Sequence, residues 1–330
     1  MAYSLRELRR DVTHHNTPVQ RRIAGWLWQM RNARARRSAR PDPAALRVVF
    51  AIPLIGRHRA ENWEVVQQNL SATLTSLRRQ RDPRWTAVIC GQDAPECVAW
   101  DDQVRFVRFA DTPPSFDRTQ KVVHLRDHVE RALGGAGYFF PLDADDLIHP
   151  NVVAHILNDD NRAGYLIEKG YMLDHAALDL AALQPPDEDF PKATHFHRNC
   201  GSSSAIYFDF DSGADYRTAL WARGNHRKVM RNMAYLGIRI AHVPFHAAIY
   251  VMNHGDNLRQ KRGKMSGKMQ HFDLSPIRDP NQRHDIGVAF GLAEIFGARW
   301  IAHTDAGCGA VPPVRNSVSP PAPENAPRPR

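Results

Sequence analysis

No stretch of the 330 residues approaches the roughly 18 uninterrupted apolar positions of a spanning helix, and no basic start leads into an apolar run and cleavage site. Neither a membrane-crossing helix nor a secretory signal is expected. Cysteine is scarce: Cys90, Cys97, Cys200 and Cys308 never fall in a Cys-x-x-Cys pair, which argues against zinc-ribbon and dithiol redox chemistry. They read as ordinary buried thiols in a reducing, cytoplasmic compartment. No internal repeat is visible either. What the chain does have is 43% apolar residues, enough for a sizeable core.

Acidic residues are nearly missing from the first forty positions, where ten arginines face only Glu7 and Asp11. This arm therefore holds +8 of the chain's formal +9 and leaves +1 for residues 41–330. On a helical reading Ile23, Trp26, Leu27 and Met30 share one face, with Arg21, Arg22, Arg31, Arg34, Arg36 and Arg37 around them. Such a segment can lie on an anionic membrane surface, or pack on its own domain or a partner. No aromatic-studded sheet motif accompanies the charge, which argues against nucleic acid.

Pro41-Asp42-Pro43 separates the arm from an apolar strand, Arg47 to Pro53. A helix from Asn62 to Arg79, strands from Trp85 to Cys90 and Val104 to Phe109, a helix running to about Arg131 and a strand from Gly137 to Leu142 follow in alternation. That order predicts βαβ units and a parallel sheet. Later segments are less regular: strands over Gly164–Leu173, Ser203–Phe210, Ile238–Val243 and Ala247–Met252, a helix over Arg227–Leu236 and a closing helix over 282–302. The expected organisation is a basic arm (1–45), one α/β domain (46–310) and a proline-rich, disordered tail (311–330).

The strand ending in Phe139-Phe140-Pro141-Leu142 delivers Asp143-Ala144-Asp145-Asp146, three carboxylates within four positions. Charges packed that tightly repel unless a cation neutralises them, and the carboxyl end of a strand is where α/β sheets hold ligands. Hard oxygen ligands suit Mg²⁺ or Mn²⁺, so the cluster reads as a metal-bridged diphosphate site. The alternative is a solvated turn in which Asp146 caps a helix opening near Pro150.

The succession Val48-Val49-Phe50-Ala51-Ile52-Pro53, Leu74 to Gln80, Trp85 to Asp93, Tyr138 to Pro150 and Tyr250-Val-Met-Asn-His254-Gly-Asp-Asn257 resembles the GT-A fold glycosyltransferases of the large family 2 type. The resemblance covers roughly residues 47 to 258 and implies a Rossmann-like, mostly parallel sheet with helices on both faces in a single catalytic domain. Residues 46–150 would bind the nucleotide and 151–310 the acceptor. Pro53 would let the first strand leave the sheet and line the pocket, and Asp93 would accept from the base or ribose of a UDP-sugar. Arg118 and Lys121 would face the diphosphate. Asp143 would face ribose or metal, Asp145 and His254 the metal, and Asp146 would stay nearby, either for the acceptor or to support the metal's ligands from behind. Mn²⁺ or Mg²⁺ is the implied cofactor, and a glycan or lipid-linked acceptor of polysaccharide biosynthesis the implied partner, with peripheral attachment to the inner membrane face through the arm.

The chain departs from the family where a carboxylate base is expected, because Gly224-Asn225-His226-Arg227 stands there. His226 could take the acceptor proton, or Asp211, Asp209 or Asp215 could reach in. Cys200-Gly201-Ser202-Ser203-Ser204 offers hydroxyls for acceptor or sugar contacts, or is simply a turn entering a strand. The expected reaction is inverting, metal-dependent sugar transfer to a hydroxyl. A sugar-phosphate nucleotidyltransferase would place a glycine-rich loop after the first strand, where this chain has Pro53-Leu54-Ile55-Gly56-Arg57. A non-catalytic adaptor with a membrane- or nucleic-acid-binding arm would leave Asp143, Asp145 and His254 unexplained.

Overall fold

In β1 (Arg47–Pro53) the residues Val48 to Ile52 are all buried, because the strand lies between two parallel neighbours and has helices on its faces. The computed structural model describes residues 18–35, 41–113, 117–254 and 266–306. Residues 1–17, 36–40 and 307–330, and with them the expected tail, lie outside the described residues, as do Gly255, Asp256 and Asn257.

Preceding the domain, α1 (Pro18–Asn32) packs Ala24, Gly25, Trp28 and Asn32 inward. Trp28 is fully buried and its Nε1 donates to the Asp215 carbonyl at 3.1 Å, so this part of the arm belongs to the fold. Ile23, Trp26 and Met30 face outward and are more than half exposed (52%, 58% and 61%), whereas Leu27, expected on the same face, is half-buried.

After β1, α2 (Trp63–Arg78) starts where the Asn62 side chain accepts from the backbone N–H groups of Glu64 and Val65, a cap worth about 1 kcal/mol. Its buried positions Val66, Leu70, Thr73, Leu74 and Leu77 follow the helical period. Then come β2 (Trp85–Gly91), β3 (Val104–Arg108), α3 (Arg118–His128) and β4 (Ala136–Pro141). The second half contributes β5 (Leu147–Ile148), α4 (Val152–Asp159), β6 (Gly164–Leu166), β7 (Gly170–Asp174), β8 (Leu180–Leu183), α5 (Phe196–Asn199), β9 (Ser204–Asp209), α6 (Tyr216–Ala222), α7 (Val229–Tyr235), β10 (Ala241–His242) and β11 (Ala248–Met252). It closes with α8 (Ser266–Met269), α9 (His271–Leu274), β12 (Pro276–Ile277), α10 (Pro280–Phe290), α11 (Leu292–Phe296) and α12 (Ala298–Ala306).

Two sheets result. The larger has the order β10-β6-β9-β4-β1-β2-β3, with four of its six pairings parallel, and the smaller runs β12-β8-β7-β11-β5. The α/β expectation with a mostly parallel central sheet holds. Several elements differ from the sequence pattern, among them the strand expected over Ile238–Val243, which is only the two-residue β10. The strand expected over Gly164–Leu173 divides into β6 in the larger sheet and β7 in the smaller. The closing helix is broken at Gly291 and Gly297, whose φ values of 68° and 58° suit a residue without Cβ.

Candidate active site

The carboxyl ends of β1, β2, β3 and β4 lie along one edge of the larger sheet, and the loops leaving them meet there. A cleft of about 540 Å³ on this edge is lined by Arg57, His58, Gln92, Asp93, Arg108, Phe109, Ala110 and Thr112. Asp93, half-buried, accepts from the Arg57 backbone N–H at 2.8 Å and so ties the loop after β1 to the end of β2. Pro53 ends β1 opposite Cys90, and directly after it the Leu54 N–H donates to the Cys90 carbonyl at 2.8 Å. Of this cleft, only Asp93 was expected from the sequence.

Lys121 does not reach toward the cleft as a free cation. It is 1% exposed, and its ammonium donates to the Leu54 carbonyl (2.6 Å) and Gln92 Oε1 (2.8 Å) while pairing with Asp117 Oδ2 (3.0 Å). Burial lowers its pKa, opposed by the bond to Asp117. All three donors are used within the fold, so the expected diphosphate contact is corrected to a structural one. Arg118, three residues earlier, differs: 40% of its side chain is exposed, and it grips Asp143 Oδ1 with Nε at 2.7 Å and Nη2 at 2.5 Å.

The three carboxylates after β4 are offset in three ways. Asp143 has Arg118. Asp145, 23% exposed, lies with Oδ2 at 2.8 Å from His254 Nε2. Asp146 is completely buried; its Oδ2 accepts from Ser202 Oγ at 2.5 Å and Cys200 Sγ at 3.0 Å. Burial first, then the charges of Asp145 and Asp143, push the Asp146 carboxyl well above its usual range. A group with no exposed surface cannot meet an acceptor, so of the two roles expected for Asp146 the acceptor contact is corrected and the supporting one remains. The same applies to the expected sugar contacts of the serines, since Ser202, Ser203 and Ser204 are all fully buried. The Ser202 hydroxyl accepts from the Asp143 N–H at 2.8 Å while donating to Asp146, and thereby locks the acidic turn. Gly201 leaves room for the Arg118–Asp143 pair: a Cβ there would lie 2.9 Å from Arg118 Nη2 and 3.0 Å from Asp143 Oδ2, so a side chain would push the two groups aside.

His254 arrives from the smaller sheet. β11 pairs antiparallel with β5, placing Ile249 opposite Leu147, and Asn253 (φ 62°) turns the chain after β11. The amide of Asn69 on α2 lies 2.9 Å from His254 Nδ1. A carboxylate only accepts, so Nε2 carries the proton toward Asp145 and Nδ1 accepts from Asn69 Nδ2. Asp145 and His254 offer one oxygen and one nitrogen at one point, with Asp143 beside them in sequence. One carboxylate and one imidazole suit Mn²⁺ better than Mg²⁺, provided the imidazole proton moves to Nδ1 and the Asn69 amide turns its oxygen to receive it; Asp143, its Oδ1 held by Arg118, does not join them in a three-ligand cluster among the described residues.

His226 is half-buried, and its Nδ1 contacts the His197 carbonyl. Since a carbonyl only accepts, Nδ1 carries the proton and Nε2 the lone pair. Burial pushes this imidazole down to about 4. It follows Arg223, which donates to Ser204 Oγ (2.7 Å) and the Gly201 carbonyl (2.6 Å) and so ties this segment to the acidic edge. Asp211 is on the other side of the sheet. β9 is antiparallel to β4 and Asp209 pairs with Ala136, the first residue of β4, so Asp211 lies past the strand end opposite Asp143, roughly 20 Å away. There Asp209 caps Ser212 and Asp215 caps Thr218. None of these three aspartates meets the acidic turn, and their expected role as base is corrected.

No family model and no curated protein matches the chain. Among solved structures it is similar to a Desulfovibrio desulfuricans G20 protein assigned to the nucleotide-diphospho-sugar transferases (10% identity, TM-score 0.32, covering 69% of this chain and 90% of that one). It is also similar to Rv0371c of Mycobacterium tuberculosis H37Rv (11%, TM-score 0.31, 67% and 98%). A third is 4-diphosphocytidyl-2C-methyl-D-erythritol synthase (14%, TM-score 0.31, 68% and 98%). These likenesses are too distant to assign an activity.

Proposed function

We propose that the chain is a metal-dependent glycosyltransferase that moves a sugar from a nucleotide-diphosphate donor, UDP-sugar by the resemblance, to a hydroxyl. The observation that carries this reading is the meeting of Asp145 and His254, 109 residues apart, at 2.8 Å beside the Asp143–Arg118 pair. It occurs on the sheet edge that also holds a cleft large enough for a nucleoside. Asp93 and the rim of that cleft would hold the base and ribose. Arg118, half-exposed and aligned by Asp143, would meet the diphosphate. Asp145 and His254 would hold Mn²⁺ or Mg²⁺, which when bound screens the charge that builds up on the departing diphosphate. His226, neutral and with its lone pair on Nε2, would take the acceptor proton in one in-line displacement with inversion.

The acceptor would be a glycan, a lipid-linked glycan or another cell-envelope hydroxyl, and the outward face of α1 supports delivery to an anionic membrane surface. Among the described residues no helix is long and apolar enough to cross a membrane. The arm would then act from the surface, with Trp28 anchoring it to the domain and Ile23, Trp26 and Met30 meeting lipid.

A screen of nucleotide sugars with Mn²⁺, scored by donor hydrolysis, tests the reading without knowledge of the acceptor. Hydrolysis of one donor class that vanishes in Asp145→Asn supports it. Pyrophosphate release from a nucleoside triphosphate and a sugar phosphate, with no donor hydrolysis, would instead identify a nucleotidyltransferase.

A further inference from the structure

On the same edge of the larger sheet, two strands away from β4, a second group of metal-ligating side chains lies outside the machinery above. Neighbouring strands are about 4.8 Å apart, so this group sits roughly 10 Å from the acidic turn. Glu168 follows β6, and His195 and His197 flank the start of α5. The ligand atoms they offer all lie within 4.8 Å of one another. A zinc ion about 2.0–2.1 Å from each ligand would hold tetrahedral pairs roughly 3.4 Å apart, so small side-chain rotations close the ring.

Three details mark this cluster as more than a chance gathering of polar groups. His197 is 8% exposed, and its buried Nδ1 has no hydrogen-bond partner among the described residues. His195 Nδ1 is 3.2 Å from Glu168 Oε1 but is not aligned for a hydrogen bond. The other carboxylate oxygen, Oε2, is engaged by His242 Nδ1 at 2.5 Å, which orients the carboxylate as outer partners of metal ligands do. A buried, unpartnered imidazole nitrogen is costly, and a cation satisfies it together with the carboxylate.

We propose that Glu168, His195 and His197 form a second divalent-metal site, with the two-imidazole, one-carboxylate chemistry that takes Zn²⁺ and leaves a fourth position for water. The sequence contains it as His195-x-His197 with a glutamate 27 residues earlier, a spacing too long for a local motif. The ion clips the turn after β6 to α5, already joined by the Phe196 N–H to the Glu168 carbonyl at 2.8 Å. From α5 the chain runs directly into Cys200, Gly201 and Ser202, which cradle Asp146 and Asp143. The carbonyl of His197 accepts the hydrogen bond from His226 Nδ1–H, so the clip also fixes the base proposed above.

The full chain, stripped of metal with a chelator, is titrated with Zn²⁺ and separately with Co²⁺ as the Asp145→Asn variant, which weakens the first site. One equivalent of Zn²⁺ bound, a raised melting temperature and the intense visible d–d absorption of four-coordinate Co²⁺ are expected. Glu168→Gln, nearly isosteric and placed at a half-buried group, removes that equivalent and the Co²⁺ spectrum, and His195→Ala does the same. No Zn²⁺ bound by Asp145→Asn, or binding undiminished in Glu168→Gln, overturns the proposal. Neither readout uses transferase activity, so failure of the site and failure of the functional reading are distinguishable.

Discussion

Between Arg47 and Asp143 the site is assembled from the ends of consecutive parallel strands, each delivering its residues within a few positions of the last paired residue. From Leu147 onward, short strands of mixed direction from two sheets deliver histidines to the same edge. The first region is stiff because β1 is buried from Val48 to Ile52 and β2 along its whole length. The second depends on β5, only two residues long, to bring β11 and hence His254 against Asp145. The carboxylates are thus held by the parallel core, and their completing partner by a more easily perturbed pairing.

The largest effect that would test this division is at Asp145. Asp145→Asn is expected to lower donor turnover by at least about 10²- to 10³-fold and to abolish the metal-dependent rise in melting temperature with UDP. The unliganded melting temperature should stay level or rise slightly, because one of three crowded charges is gone. A large loss of folding would mean that the acidic turn is structural.

In the second region, His226→Ala should lower turnover by about 10²-fold with nucleotide affinity retained. Because burial holds this imidazole at about 4, the rate in the unaltered chain should stay flat as pH falls from 7 to about 5 and drop only below that. A fall centred near 6.5 would point to another base. Where the two regions join, Asn69→Ala should raise the apparent metal dissociation constant about 10- to 100-fold, measured by titration, with the fold intact. An unchanged constant would remove Asn69 from the site.

The second region should also fail first in acid. Burial lowers the pKa of His149 and of His246 from 6.5 to about 4; His246 stacks on Tyr171 with ring centroids 4.5 Å apart. The unfolded chain binds these protons first, so their effect is absent above pH 6.5, and stability falls as pH drops from there toward about 4. Melting temperature against pH reads this, and His246→Phe, which keeps a ring on Tyr171, should flatten the slope. The smallest effect concerns α1. Trp26→Glu should reduce sedimentation with anionic vesicles several-fold while leaving the melting temperature unchanged, since Trp26 is outward. Deleting the whole arm is a poorer test: it removes Trp28, whose burial is worth about 3–5 kcal/mol. Vesicle binding that persists in Trp26→Glu would argue against this face.

The parallel half was legible because β1, β2 and β4 are continuous apolar runs, a pattern that survives without knowledge of neighbours. The same holds for Asp143 and Asp145, which sit directly after such a run. β5, β8 and β12 are two to four residues long, too short for periodicity to register, and only their pairing partners define them. Asn69 gave no signal, being one polar residue on an ordinary amphipathic helix whose partner lies 185 positions away. Lys121 misled because α3, RTQKVVHLRDH, shows no clean apolar face that would announce a buried ammonium. Asp211 misled because chain order says nothing about the direction of β9, which carries it to the far edge.

That buried ammonium has a thermodynamic consequence for whatever enters the cleft. Lys121 joins the Leu54 carbonyl after β1, Gln92 after β2 and Asp117 before α3, so three loops that could each fluctuate alone are held as one body. A nucleoside binding on this rim meets a surface already ordered, and little of its contact energy is lost to freezing the loops. Lys121→Met alters none of the residues that line the cleft but cuts the tie that holds Gln92 and its loop, so the ligand itself would then have to bring the walls together.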